Sequence, residues 1–414
     1  MTERRSVDAL IVGAGPAGLS AAAQLRRLGV ESVLICERAS RAGGVPRYTN
    51  HIGFGWGDLR TLTTGPRYAS KLVHRAIESG AEILTETTVF QWAGTRTVCT
   101  TSPQGLCEIE AKAILLATGC RETPRSARLV PGTRPSGIFT TSSLQHFEYD
   151  YGTRVGKRAI VVGAEHVSFS AVRTLRSLGC KTLAMVTSHQ DCQTYFLLKF
   201  FLADLYRIPI ITHGQITRIF GEHRLEAVEV SDLATGSAHP YDVDTVVFTG
   251  EFIPECEQAY AARVSVDRGT LGPAVDQRLR TDREGIFAAG NVLRGAETAG
   301  VAAREGVYAA EAMVDYLQKR NWPGKFIPIR CESPLACVSP NRIDPSRASP
   351  PNWLMTWRVR RFVRGGVLTI LQGERILFEQ GSSGLVPNRR LQLCPTSWLD
   401  RVAPEGPQVT ARIV

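Results

Sequence analysis

The chain has 414 residues, which is too many for one compact core and predicts two or three domains. It is 43% hydrophobic and 21% charged, as in ordinary globular proteins, and no apolar run approaches the ~20 residues needed to span a membrane.

The net charge of +10 comes from scattered basic residues. Their densest patch, RVRRFVRGG at 358–366, alternates like a strand with one solvated face, which argues against nucleic-acid binding. The N-terminus shows no signal-peptide pattern, so we expect a cytoplasmic protein.

The ten cysteines show no metal-binding or redox spacing. No two of them form C-x-x-C or C-x-C, and Cys331 and Cys337 stand far from the others. In a cytoplasmic protein such residues are expected to be packed, reduced thiols. We therefore predict no metal site and no redox-active disulfide.

The first predicted unit is a strand, a glycine-rich turn and a helix. Residues 10–12 form an apolar run, and 13–18 read G-x-G-x-x-G. Residues 16–28 have helical spacing, and a second apolar strand at 33–36 stops at Glu37. Strand, turn, helix and closing acid together are typical of a dinucleotide-binding site.

Each residue type in this turn has a physical reason. The first glycine permits the tight turn, the second lets the backbone approach a diphosphate, and the third lets helix and strand pack closely. The helix N-terminus offers free N–H groups to the anion, and the acid accepts hydrogen bonds from a ribose. The predicted contacts from this unit are Gly13, Gly15, Pro16, Ala17, Gly18, Glu37 and Arg38.

A second copy of the same outline at 157–187 lacks two of the glycines. Gly163 keeps the turn, but Glu165 stands where the diphosphate would approach and Ser168 replaces the packing glycine. A carboxylate there would repel a phosphate, and the next strand does not end in an acidic residue that could bind a ribose. We predict that this domain does not bind NAD(P)H productively. It either keeps its fold as a scaffold or holds another nucleotide.

Two later segments mark the domain organisation. The stretch 192–210 is unusually apolar for a surface helix and is predicted to pack in the core or, alternatively, in a subunit interface. The Pro-rich stretch 331–353 is a predicted domain boundary. The predicted domains are a discontinuous dinucleotide domain at 1–126 with 275–318, an inserted degenerate domain at 127–274, a connection at 319–353 and a small β domain at 354–414.

The stretch 281–317 resembles the two-dinucleotide-domain flavoproteins of the glutathione-reductase-like superfamily. A short apolar strand ends in Gly290 and Asn291 and is followed by a helix, and the A-T-G segment at 117–119 resembles the point where the chain leaves the FAD domain. The resemblance implies an α/β fold with two Rossmann-like three-layer domains and bound FAD. Asn291 replaces the usual Asp, which keeps hydrogen bonding and removes a charge. The implied FAD contacts are Gly44, Val45, Ala117, Thr118, Gly119, Gly290, Asn291 and Thr298.

Three segments narrow the resemblance. The stretches 43–72, 117–147 and 285–293 are similar to FAD oxidoreductases that accompany anaerobic glycerol-3-phosphate dehydrogenase. They are also similar to the FAD subunits of hydrogen cyanide synthase, opine oxidase and amino-acid dehydrogenase complexes. The tail at 357–393 resembles the small β domain of the glycerol-associated members. The redox cysteine pair of the superfamily and the iron–sulfur cysteines of some opine-oxidase-type subunits are both absent from this sequence.

The resemblance implies an FAD-dependent oxidoreductase that oxidises a C–N or C–O bond of a small molecule by hydride transfer to flavin. It also implies a partner subunit in a larger complex, or a homo-oligomer. Arg47 is a candidate for binding a substrate carboxylate, and Tyr48 and His51 for orienting the substrate or accepting its proton. The alternatives are an NAD(P)H-dependent flavin reductase and a flavin-bearing scaffold subunit without catalysis of its own.

Overall fold

The computed structural model describes residues 3–346, 355–393 and 396–414. These residues divide into two compact units. Unit 1 comprises residues 1–47, 52–120 and 254–414, and unit 2 comprises 48–51 and 121–253. The predicted fold class, with two Rossmann-like sheets and a small C-terminal β domain, is confirmed. The exact domain limits given above stay a prediction.

The first part of unit 1 begins with a strand–turn–helix and ends with a long strand. A 3₁₀ turn, Val45–Tyr48, precedes the hairpin of β3 and β4. The elements are β1 (Glu3–Val12), α1 (Pro16–Arg27), β2 (Val33–Cys36), β3 (Ile52–Phe54), β4 (Thr63–Thr64), α2 (Gly65–Glu78), β5 (Glu82–Leu84), β6 (Thr88–Trp92), β7 (Thr97–Ser102) and β8 (Gly105–Leu116).

Unit 2 contains a second strand–turn–helix and a three-stranded antiparallel insertion. A π-helical turn, Phe200–Asp204, follows its shortest helix directly. The elements are β9 (Cys120–Glu122), β10 (Ile138–Thr140), α3 (Thr141–Tyr151), β11 (Arg158–Val162), α4 (His166–Ser177), β12 (Lys181–Val186), α5 (Phe196–Lys199), β13 (Ile210–Ile211), β14 (Gly214–Phe220), β15 (Ala227–Asp232), β16 (Ala238–Asp242), β17 (Thr245–Phe248) and β18 (Phe252–Pro254).

The last part of the chain returns to unit 1 and adds the C-terminal strands. Residues 347–353 of the predicted connection lie outside the described residues. The elements are α6 (Glu257–Ala261), β19 (Ile286–Ala288), α7 (Ala299–Lys319), β20 (Ile327–Cys331), β21 (Leu335–Ser339), β22 (Arg342–Ile343), β23 (Met355–Val359), β24 (Val363–Gln372), β25 (Arg375–Leu385), β26 (Leu391–Leu393) and β27 (Val409–Ile413), with 3₁₀ turns at Gly290–Leu293 and Thr396–Arg401.

The main sheet of unit 1 has the order β5-β2-β1-β8-β7-β6, with β19 beside the C-terminal half of β8. Strands β5, β2, β1, β8 and β19 are parallel, so their carboxyl ends meet at one edge. That edge is where ligands bind in open parallel sheets. Leu10, Ile11 and Leu115 are fully buried, as the continuous apolar runs predict.

Unit 2 has a parallel sheet of its own in the order β10-β17-β11-β12-β13, and a separate antiparallel sheet β14-β15-β16. Its carboxyl edge carries the loops that follow β11 and β17. The C-terminal strands form the sheets β22-β20-β27-β24-β25 and β21-β23-β26 around a core of their own that includes the fully buried Trp357. A separate core is what distinguishes a small domain from an extended tail.

Candidate dinucleotide site

The N-terminus of α1 is free to bind an anion. Gly15 is its N-cap residue, no side chain caps it, and its first turn contains no acidic residue. A Cβ built on Gly15 would meet no atom within 4 Å, so open space lies over this position. Unpaired N–H groups and the positive end of the helix dipole point into that space. These features fit the diphosphate of a dinucleotide.

The other two glycines of the motif are required by close contacts. Gly13 has φ +105°, and a Cβ there would lie 2.5 Å from the Ala117 carbonyl oxygen. A Cβ on Gly18 would lie 2.0 Å from the Gly13 carbonyl oxygen. Both distances exclude any side chain, which confirms the tight turn and the close helix–strand packing expected from the spacing.

Two further loops converge on α1. A Cβ on Gly44 would lie 2.9 Å from the Gly15 Cα, and one on Gly290 would lie 2.8 Å from the Ala17 Cβ. A Cβ on Gly306, inside α7, would lie 2.0 Å from the Ala17 carbonyl oxygen. Gly306 was missed in the sequence, although a glycine inside a 21-residue helix is itself a signal of close packing.

Glu37 is held in place by the backbone. The Ala14 N–H donates to Glu37 Oε2 at 2.8 Å, and the Ala39 N–H donates to Oε1 at 2.9 Å. Each carboxylate oxygen keeps lone-pair capacity for a further donor such as a ribose hydroxyl. The neighbouring Arg38 pairs with Glu255, its Nη2 lying 2.9 Å from Glu255 Oε2.

The predicted contacts at the ends of β8 and β19 are ordered by local hydrogen bonds. The Thr118 hydroxyl donates to the Glu255 carbonyl oxygen at 2.7 Å, and Gly119 has φ +79°. Asn291 uses its amide within its own loop, because its Nδ2 donates to the Glu297 carbonyl oxygen at 3.3 Å and its Oδ1 accepts the Glu297 N–H at 3.0 Å. Thr298 is the N-cap residue of α7 and makes no side-chain cap.

Sequence reasoning missed a buried charge network beside this loop. Glu305 accepts the Gly290 N–H at 3.1 Å and forms an ion pair with Arg294. Arg358, on β23 of the C-terminal domain, donates to Glu297 Oε1 at 2.9 Å and to the Ala296 carbonyl oxygen. Each acid of this network thus has a cationic partner in a desolvated place, although the Nε atoms of Arg294 and Arg358 are buried with no hydrogen-bond partner among the described residues.

A second missed residue, Asp58 in the loop between β3 and β4, borders the start of α7. Asp58 Oδ2 accepts the Tyr68 hydroxyl at 2.6 Å, while Oδ1 is buried and has no hydrogen-bond partner among the described residues. A Cβ built on Gly300 would lie 3.1 Å from that Oδ1, so the carboxylate borders the positive end of α7. Burial, followed by the hydrogen bond to Asp58, raises the pKa of Tyr68 above its usual range.

The three candidate catalytic residues belong to different units. Arg47 is in unit 1 and donates to the Arg41 carbonyl oxygen. Tyr48 and His51 are in unit 2. The Tyr48 hydroxyl shares a 2.9 Å hydrogen bond with Ser142 Oγ, and its ring meets His146 edge-on at 5.0 Å. Their catalytic roles stay a prediction, as do the cofactor contacts as a set.

The second glycine motif has a carboxylate where the first has open space. Glu165 is the N-cap residue of α4. Its Oε2 accepts the Ala164 N–H at 3.0 Å, and its Oε1 lies 2.7 Å from the Thr249 hydroxyl. A Cβ on Gly250 would lie 2.3 Å from the same Oε1, so the carboxylate fills the gap between the loops after β11 and β17. Ser168 shares a 2.6 Å hydrogen bond with Thr249.

A second acid, Glu122, lies in the same part of unit 2. It is buried and accepts the Ser142 N–H at 2.7 Å and the Gly250 N–H at 3.3 Å. Burial raises the pKa of Glu122 to about 7, and the nearby Glu165 carboxylate adds to that rise while the N–H donors oppose it. This surrounding is unfavourable for a second anion such as a diphosphate.

The described cysteines are free, and burial raises the pKa of Cys36 to about 12 and that of Cys180 to about 11.

In the described ranges, no three metal-ligating side chains come together. No described helix combines the length and hydropathy needed to cross a bilayer.

Comparison with known proteins identifies the family. The model of the pyridine nucleotide-disulphide oxidoreductase family matches residues 7–306, which include both glycine motifs. The chain belongs to this family. The match ends inside α7, so the C-terminal domain lies beyond the family region.

Two curated relatives match most of this chain, but the match covers different shares of their own lengths. Ferredoxin–NADP reductase of Ignicoccus hospitalis is 24% identical over 330 residues, which cover 76% of this chain and 99% of the relative. An alkyl hydroperoxide reductase component of Escherichia coli is 23% identical, and that match covers 77% of this chain and 59% of the relative. The chain therefore spans little more than half of the second relative's length.

Solved structures share the fold at low sequence identity. Thioredoxin reductase of T. acidophilum superposes with a TM-score of 0.63 at 22% identity, covering 75% of this chain and 98% of that one. The bacillithiol disulfide reductase of Bacillus cereus gives a TM-score of 0.61 at 18% identity, covering 77% and 100%. This pyridine nucleotide-disulphide oxidoreductase thus has a thioredoxin reductase-like fold.

Proposed function

We propose that this family member is an FAD-dependent oxidoreductase whose flavin receives electrons from NADH or NADPH. The observation that carries the FAD assignment is the uncapped N-terminus of α1 above Gly15. The pyridine-nucleotide assignment rests on the family, whose matched region includes both dinucleotide-type units, and on a relative named as an NADP reductase. When bound, FAD supplies a two-electron acceptor that no side chain can provide.

The chain's own residues would hold and orient this cofactor. The α1 N–H groups bind its diphosphate, and Glu37, fixed by two backbone N–H groups, accepts from the adenosine ribose. The positive end of α7, at Thr298, favours negative charge on the flavin ring. No C-x-x-C pair exists in this sequence, so electrons leave without a dithiol relay of that type.

A second candidate function is favoured by one specific observation. The Glu165 carboxylate lies at the N-terminus of α4, where a nucleotide diphosphate would bind. In this candidate the flavin is instead reduced by a small substrate whose C–N or C–O bond is oxidised, and the chain acts as a subunit of a larger complex. Arg47 would bind the substrate carboxylate, and Tyr48 and His51 would orient it or accept its proton. The resemblance to the glycerol-3-phosphate- and opine-oxidising flavoproteins supports this version.

Anaerobic mixing separates the candidates. We expect the yellow absorbance of the purified protein to bleach on addition of NADH or NADPH. Bleaching by amino acids, opines or glycerol phosphate, but by neither nicotinamide, would replace the first candidate with the second. Bleaching by none of them would favour a flavin-bearing scaffold subunit. Protein that stays colourless after incubation with excess FAD would overturn the FAD assignment itself.

A further inference from the structure

Unit 2 carries an exposed aromatic segment, defined here as residues 196–206. Phe196 is 73% exposed, Leu197 66%, Phe201 56% and Leu205 57%. The prediction that the stretch 192–210 packs in the core is therefore wrong for these large apolar side chains. Its apolar composition predicted burial, but composition does not tell whether another element covers the helix. Isolated exposed apolar side chains are common on proteins, whereas a run of large ones marks a binding surface.

The segment is anchored on one side only. Ala203 is fully buried in the same core as Phe169 and Val172 of α4. The aromatic rings outside that core contact one another, Phe196 stacking with Phe200 at 6.3 Å and Phe200 meeting Phe201 edge-on at 5.4 Å. A small residue thus faces the protein, and large apolar residues face away from it.

Four cationic side chains lie within this segment or next to it in sequence or on α4. The Arg176 guanidinium lies over the Tyr206 ring at 3.8 Å. Arg173 lies one turn earlier on the same exposed face of α4, Lys199 is within the segment, and Arg207 follows it. Among the described residues none of these four cations forms an ion pair. Asp204 is the one acidic residue in the segment.

We propose that the aromatic segment docks this protein on an anionic lipid surface. Phe and Leu side chains rimmed by Lys and Arg form an interfacial anchor, which inserts about 5–10 Å into the headgroup region without crossing the bilayer. Tyr206 suits the headgroup level, and the long basic side chains reach the lipid phosphates while their methylene groups lie against the apolar surface.

Charge complementarity selects lipid over a second copy of the chain. A dimer through this surface would bring these cations of one copy close to those of the other, with the chain's net charge of +10 adding to the repulsion. Protein interfaces are also depleted of lysine, whereas Lys199 lies within this segment. An anionic bilayer satisfies the cations and the apolar side chains together.

Vesicle co-flotation tests the proposal with the full-length, flavin-loaded protein. The probes are vesicles of phosphatidylcholine alone and of phosphatidylcholine mixed with phosphatidylglycerol. We expect binding to the mixed vesicles that weakens as salt is added. The double variant Phe196→Ser, Phe201→Ser should bind at least tenfold more weakly, because two aromatic anchors are lost. Arg173→Gln with Arg176→Gln should weaken binding to the anionic vesicles about tenfold.

The matched control removes two exposed apolar side chains elsewhere, Leu129→Ser with Ile376→Ser, which are 85% and 52% exposed. This control should bind like the unchanged protein, and the flavin spectrum and circular dichroism of all variants should be unchanged. Absence of binding to anionic vesicles, or equal binding of the Phe and control variants, would overturn the proposal. So would a lipid-independent dimer abolished by the Phe substitutions, or saturable binding to soluble polyglutamate in place of vesicles.

Discussion

The two glycine motifs share one backbone design and differ in what stands at the helix N-terminus. In unit 1, Gly15 leaves open space in front of α1. In unit 2, Glu165 puts a carboxylate at the same position of α4 and ties it to Thr249. A strand–turn–helix can therefore keep its fold with either open space or a hydrogen-bonded carboxylate at the helix N-terminus. Fold alone does not establish a ligand site.

The packing glycines show the same difference. Gly18 has no room for a Cβ, because the Gly13 carbonyl oxygen would lie 2.0 Å away, whereas Ser168 occupies the matching place and bonds to Thr249. Helix and strand approach more closely at Gly18 in unit 1 than a side chain would allow, whereas unit 2 accommodates Ser168 at the matching place. The two motifs thus differ at two matching positions, 15/165 and 18/168.

Making the first motif like the second should have the largest effect. Gly15→Glu fills the open space with a carboxylate, which opposes the diphosphate and blocks the α1 N–H groups. We expect complete loss of bound flavin, measured as the ratio of flavin to protein absorbance after purification. Gly324→Glu is the control, since a Cβ there also meets no atom within 4 Å. A fully yellow Gly15→Glu protein would refute the site.

The burial of Glu122 beside the second motif should appear in the pH dependence of stability. The folded-state pKa of Glu122, about 7, is above its unfolded value, so the folded state binds more protons between about pH 4.5 and 7. Stability should therefore fall as pH rises through this window, by up to about 3 kcal/mol. Urea unfolding of Glu122→Gln should lack this fall. An identical pH profile in both proteins would contradict the shifted pKa.

Substituting the packing residue of each motif should destabilise the first motif more than the second. Gly18→Ser overpacks the helix–strand contact in unit 1 and should cost about 1–3 kcal/mol together with flavin affinity. Ser168→Ala removes one hydrogen bond in unit 2 and should cost about 1 kcal/mol with no loss of flavin. Urea unfolding and flavin content measure both. Equal effects would show that the two contacts are equally tight.

Making the second motif like the first should have the smallest effect. Glu165→Gly bares the N-terminus of α4 and removes the opposing charge, so NADH or NADPH should bind about tenfold more tightly. The measurement is nucleotide titration of the oxidised protein, with Glu226→Gly, at an exposed position of the same unit, as control. Unchanged binding would mean that Glu165 does not obstruct the nucleotide.

The parts that could be predicted from the sequence follow local rules. The G-x-G-x-x-G turn, the strand before it and the helix after it depend on residues close to one another in the chain. The contacts that could not be predicted join distant residues: Glu122 meets the backbone of Gly250, and Arg358 meets Glu297. Asn291 was expected at the cofactor from its place after β19, but spacing does not reveal that its amide already bonds to the backbone of Glu297.

Arg358 joins the C-terminal domain to the loop before α7. Glu297 is largely buried, and without that guanidinium its carboxylate would lose this ion pair while staying desolvated. A chain cut after α7 would correspond closely to the family region yet leave this buried carboxylate, just before the N-terminus of α7, without Arg358. The C-terminal domain is therefore not a detachable accessory, because it supplies a cation to a buried acid inside the region that the family model matches.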